Sequence, residues 1–199
     1  MFKRTVVAAA LALALASGAA QAVSVVDTGT PSNQPGYRWQ FNQDQYFAGE
    51  FSLLDNSIIN SIQGYFSTAS GVVGISVYSD GGSIPGSALF STNLTTTAGG
   101  LAWNGVSDLN WSLNAGTYWV AFAPDYTTFG TTMPGAAPSP LAAYAQHTWG
   151  AWQEPADGLA LGVRIDATNV AAPVPEPTTI AMYALGLAGL AVVARRKQA

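Results

Sequence analysis

No cysteine occurs among the 199 residues. Disulfides, thiol nucleophiles and cysteine-ligated metals are therefore excluded. Histidine occurs once, at His147, and one imidazole cannot supply the three or four nitrogen or sulfur ligands of a zinc site. Lysine is missing from residues 23–172, which removes Schiff-base and P-loop chemistry. Of the seven basic residues, five lie at the two extremities, leaving Arg38 and Arg164 for everything between. Ten of the eleven acids fall in that same stretch, so two arginines against ten carboxylates give it a formal charge of −8. Nucleic acid and anionic lipid are disfavoured as partners. Charged residues make up 9% of the chain, against about 25% in an ordinary soluble domain. The surface must then be built from Ser, Thr, Asn, Gln and Gly. A middle region of about 150 residues can bury enough apolar surface to fold without cross-links.

The extremities carry what the middle lacks. Lys3 and Arg4 precede an unbroken apolar run at residues 6–16, and Ala20-Gln21-Ala22 has the small-x-small form of a cleavage site. This is the three-part pattern of a secretory signal peptide, and its run is too short for the roughly 20 residues of a bilayer span. It predicts a signal peptide at residues 1–22 and a mature chain beginning at Val23. Near the other end, Pro173, Pro175 and Pro177 exclude helix and central strand, since proline lacks an amide donor and restricts the residue before it. Residues 171–177 thus read as an extended tether. Residues 178–194 are uncharged and as a helix would reach about 25 Å, the short end for a bilayer core of about 30 Å. Arg195, Arg196 and Lys197 follow at once. By the positive-inside rule they stay cytoplasmic at 195–199, and the body, residues 23–170, faces outward.

Val174-Pro175-Glu176-Pro177, the short apolar segment and the terminal Arg195-Arg196-Lys197 together resemble the PEP-CTERM sorting signal. The resemblance implies export to the outer face of a Gram-negative inner membrane. It also implies an anchored precursor facing the periplasm, cleavage near the motif by an integral-membrane exosortase, and a final place at the cell surface or outside the cell. Two prolines hold the motif extended, which presents the single carboxylate of Glu176 beside the membrane.

Between the ends the periodicity is that of strands. Leu109, Trp111 and Leu113 alternate with polar residues, as do Tyr118, Val120 and Phe122 with Trp119 and Ala121, and Asn114-Ala115-Gly116 between them predicts a hairpin. Ile75, Val77 and Tyr78 run into Ser79-Asp80-Gly81-Gly82, a turn that Asp80 can cap. Leu159, Leu161, Val163 and Ile165 alternate in a last strand. Further strands are expected at 38–47, 49–54, 58–66, 88–93 and 144–152. Many short strands and no sustained helical period predict an all-β fold, an antiparallel β-sandwich of jelly-roll type, flanked by the signal peptide and a single C-terminal transmembrane helix. Gly64-Tyr65-Phe66, residues 77–87 and residues 113–122 resemble the jelly-roll-like choice-of-anchor ectodomains, a likeness that implies architecture more than activity. Residues 124–158 depart from it and read as a decorated connection.

Catalytic candidates are sparse. His147 is a candidate general base with a serine and Asp125 or Asp157, yet no Gly-x-Ser-x-Gly elbow occurs. Glu50 with Asp55 and Glu154 with Asp157 are carboxylate pairs of the kind glycoside hydrolysis uses, and as loop acids they equally serve solubility. Asp80 and Asp125 are weak calcium candidates, because calcium wants six to eight oxygens. Neither a cofactor nor a dedicated metal site is expected. Trp103, Trp111 and Trp119 are expected in the core, whereas Trp149 and Trp152, beside Tyr126, would stack on sugar rings if exposed. Three readings follow in order: an exported, non-catalytic surface or extracellular-matrix component associated with exopolysaccharide or biofilm; a carbohydrate-binding module using Trp149, Trp152 and Tyr126; a secreted hydrolase.

Overall fold

The computed structural model of the chain describes residues 22–32, 38–126, 131–154 and 158–170. The chain divides into two compact units, 1–169 and 170–199, and the thirteen strands of the described residues lie in the first. The fold is all-β and every strand pair is antiparallel. One sheet has β1 (Val23–Asp27), β13 (Val163–Asn169), β4 (Ser57–Thr68) and β7 (Gly99–Val106) in that order, with β8 (Trp111–Leu113) also on β4. A six-stranded sheet runs β12 (Ala151–Gln153), β11 (Tyr144–Thr148), β3 (Gln45–Leu53), β9 (Gly116–Pro124), β5 (Gly71–Asp80) and β6 (Pro85–Thr96). A short ribbon pairs β2 (Arg38–Gln40) with β10 (Thr132–Pro134).

Strand alternation puts one face of each large sheet into a common core. Phe47, Phe51, Ile75, Val77, Val120 and Phe122 enter it from the six-stranded sheet, and Ile59, Ile62, Phe66, Val163 and Ile165 from the other. Each large apolar side chain so buried contributes about 1.5–3 kcal/mol. The sheets touch where Phe66 meets Phe122, ring centroids 5.8 Å apart. Gly64 permits this, since a Cβ there would lie 3.0 Å from the Phe122 ring.

The expected hairpin across residues 114–116 does not form. Leu113 and Phe122 both bury their side chains in the common core, but β8 pairs with β4 while β9 pairs with β3 and β5. The chain therefore crosses between sheets at Asn114 and Ala115. The strand expected at 38–47 breaks at residues 41–44, where the Asn42 side-chain oxygen accepts the amides of Asp44 and Gln45 and starts β3, which continues unbroken through Gly49. The last strand begins at Val163, although Leu159 and Leu161 are buried ahead of it. The strand expected at 144–152 is two strands, β11 and β12, folded back at Trp149-Gly150. β1, β7 and β10 were not legible: β1 adjoins the expected signal peptide, β7 holds three glycines, and β10 is three residues long.

Candidate functional site

The outward face of the six-stranded sheet carries an aromatic cluster that strand register assembles. Tyr46 on β3 lies opposite His147 on β11, which lies opposite Trp152 on β12. Two rows along, Glu50 lies opposite Trp119, which lies opposite Tyr78. Ala145, Ala48 and Ala121 form the row between. These small side chains form a floor on which the rings lie. His147 stacks on Tyr46 at 4.3 Å between centroids, and Trp152 stands edge-on to Tyr46, Tyr78 and His147. Trp119 is fully buried, yet it packs with Tyr78, Ile84 and Trp152 on this outer face and not between the sheets. Its indole nitrogen donates to Asp80 Oδ1 at 3.4 Å.

Burial sets the titration of this cluster. Desolvation holds the His147 pKa below its ordinary value, and its buried Nδ1 has no hydrogen-bond partner among the described residues. Burial likewise raises the Tyr46 phenol, with a smaller contribution from Tyr78. Glu50 is raised by burial first and by the charge of Asp80 second. The carboxylate that influences Glu50 is thus Asp80, two strands away, and not Asp55, its neighbour in sequence.

The tight β11–β12 hairpin presents Trp149. Thr148 pairs with Ala151, so Trp149 and Gly150 alone make the turn, with φ of 53° and 87°. Two positive φ values in a two-residue loop are the type I′ pattern, whose first position favours asparagine and disfavours bulky residues. Trp149 is nevertheless 88% exposed. Every other tryptophan has its ring engaged: Trp39 meets Phe47, Trp111 stacks on Phe90, Trp119 is buried and Trp152 joins the cluster above. Trp103 packs against Tyr65 and carries the Arg164 guanidinium 3.9 Å from its centroid. Trp149 has no ring contact with a described residue. Backbone strain and apolar exposure thus coincide at one residue.

Tyr126 does not join this surface. It is 8% exposed and belongs to the common core, because it follows Pro124 at the end of β9 and turns in beneath Gly71. Trp103 and Trp111 are only partly buried: Trp111 packs against the core, whereas Trp103 packs against Tyr65. Asp80 Oδ1 accepts the Gly82 amide at 2.8 Å, and Asp125 Oδ1 accepts the Val72 amide at 2.7 Å; the two serve separate turns. Among the described residues no group of three His, Asp or Glu is placed to hold a metal. His147 has aromatic neighbours where a triad would need a serine and a carboxylate. Asp157 lies outside the described residues.

Residues 173–197 match the PEP-CTERM protein-sorting motif. The chain carries a PEP-CTERM sorting signal. That signal implies export, a membrane-anchored precursor and processing by exosortase. The match takes in Val174, Pro175, Glu176, Pro177, Arg195, Arg196 and Lys197, all outside the described residues, as are residues 1–21 with Ala20. Among the described residues no helix is long and apolar enough to cross a membrane, and residues 178–194, ahead of the basic end of the PEP-CTERM signal, are not among them. Ala22 is described, and β1 begins at Val23, the first residue expected after signal-peptide cleavage. No curated protein matches the chain.

Proposed function

We propose that the protein is a non-catalytic component of the cell surface or extracellular matrix, released by exosortase from an inner-membrane precursor whose body faces the periplasm, and associated with exopolysaccharide. The PEP-CTERM signal at residues 173–197 carries this reading. The body supports it: antiparallel sheets on one core, a jelly-roll-like β-sandwich in this reading, with few charges on the surface. Comparing cells with and without exosortase, and reading both termini by mass spectrometry, tests it. The expected product begins at Val23 and ends near the Pro-Glu-Pro triplet only where exosortase is present. Identical termini in both strains would overturn the reading.

A second reading has its own observation. Trp149, exposed on a strained turn with no ring partner, supports a carbohydrate-binding role in which its indole stacks on a sugar face. Trp152 supports the base of that hairpin through its contacts with His147 and Tyr46.

A further inference from the structure

Among the described strands β1 is the outermost of its sheet and pairs with β13 alone. β3 loses its β11 neighbour beyond Gly49, because Gly49 pairs with Tyr144, the first residue of β11. Two strand edges from different sheets therefore border one seam. A loop partly covers it: the Ser139 amide donates to the Thr28 carbonyl on one side, and the Glu50 amide donates to the Ala143 carbonyl on the other. The space left is a groove of about 340 Å³. It adjoins a second hollow of about 210 Å³ that shares Val25 and Ser52 with it.

We propose that this groove binds a neutral, hydroxyl-rich saccharide. Its lining residues include Glu50, Asp27, Ser52 and Ser139, with no lysine, arginine or histidine among them. Asp27 accepts the Gly29 amide and pairs with Arg164 Nε at 3.2 Å, and Ser52 Oγ lies 3.2 Å from Thr117 Oγ1, which leaves Glu50 as the lining carboxylate without a cation among the described residues. An unpaired carboxylate beside hydroxyls that both donate and accept favours a ligand that donates hydrogen bonds and disfavours an anionic one. Val25 and Leu141, both partly buried against the core, supply apolar surface for the C–H face of a sugar ring. The groove volume lies at the lower end of the range of small-molecule sites. Glu50 is the central group: it is half-buried, its pKa is raised by that burial, and its carboxylate accepts no hydrogen bond from a described residue. A ligand hydroxyl would supply the missing donor.

The ligand class rests on the saccharide reading above, but the residues are independent of it. Trp149 lies past the Gln45 end of β3, whose partner is Thr148, and the groove begins at Glu50, about 17 Å of strand away. The test uses the full chain in a zwitterionic detergent without sugar headgroups. Calorimetry would titrate it with α- and β-linked neutral tetrasaccharides of glucose and mannose, with glucosamine and with an oligogalacturonate. Ser139→Trp places a bulky ring in the groove from an exposed loop position and is expected to weaken neutral-sugar binding about tenfold or more, equivalent to about 1.4 kcal/mol. Glu50→Gln is expected to weaken it a few-fold, and Trp149→Ala to leave the groove's share unchanged, with circular dichroism confirming that each variant is folded. Absence of neutral-sugar binding, preference for glucosamine or oligogalacturonate, or indifference to Ser139→Trp would each overturn the proposal. Loss of all binding in Trp149→Ala alone would reject the groove and keep the hairpin, whereas loss in Ser139→Trp alone would do the reverse.

Discussion

The imidazole of His147 lies almost flat on the phenol of Tyr46, their planes 13° apart and their centroids 4.3 Å apart. The pair sits edge-on to Trp152, so the histidine packs among rings, and no carboxylate among the described residues pairs with it. The neutral imidazole is the form that this packing favours.

Stability should therefore fall with acid through the histidine range. Burial lowers the folded-state pKa below the ordinary value of 6.5, so the folded protein holds the neutral ring while the unfolded chain takes up a proton. The contribution is fully present above 6.5 and is lost as pH falls from there toward the folded-state pKa. Thermal unfolding of the wild type and His147→Gln across this window measures it. The wild type should show the steeper decline, and parallel curves would mean that His147 is not desolvated.

Trp149→Asn should raise stability and, under the carbohydrate-binding reading, remove the hairpin's sugar contact. Asparagine suits a left-handed turn position that tryptophan does not, and relief of that mismatch is expected to be worth about 0.5–1 kcal/mol. Polysaccharide binding through the hairpin should be lost in the same variant. A drop in unfolding midpoint would show that the indole is there for packing.

Trp119→Ala should cost about 3–5 kcal/mol, because the side chain is fully buried even though it lies on an outward sheet face. Trp149→Ala, at 88% exposure, should change stability by less than about 0.5 kcal/mol. Denaturant midpoints of the two variants decide this directly. Similar costs would contradict the burial difference.

Glu176→Ala should leave an uncleaved precursor in the membrane fraction, since it removes the only charge of the Pro-Glu-Pro triplet within the sorting motif. Immunoblots of membrane and medium fractions would read it. Processing at the wild-type rate would show that exosortase does not require the carboxylate.

Much of this protein was legible along the chain. Alternation marked Leu113, Val120, Phe122 and Ile165 as apolar positions on one strand face, and all four are buried, because a strand's period of two is a local property that needs no partner. The sorting signal and the missing chemistries were equally plain, since motif and composition do not depend on folding. Pairing was another matter. Alternation says that one face of a strand is buried but not against which sheet, so the segments on either side of Asn114 and Ala115 looked like a hairpin and became strands of opposite sheets. Only strand register across β3, β11 and β12 could gather Tyr46, His147 and Trp152, residues about a hundred positions apart. Only packing could bury Tyr126 and Trp119 while leaving Trp149 exposed. The sequence by itself determined which side chains seek burial and where the chain is sent. The tertiary structure decided which of them meet, because each meeting depends on contacts between distant segments that no local pattern encodes.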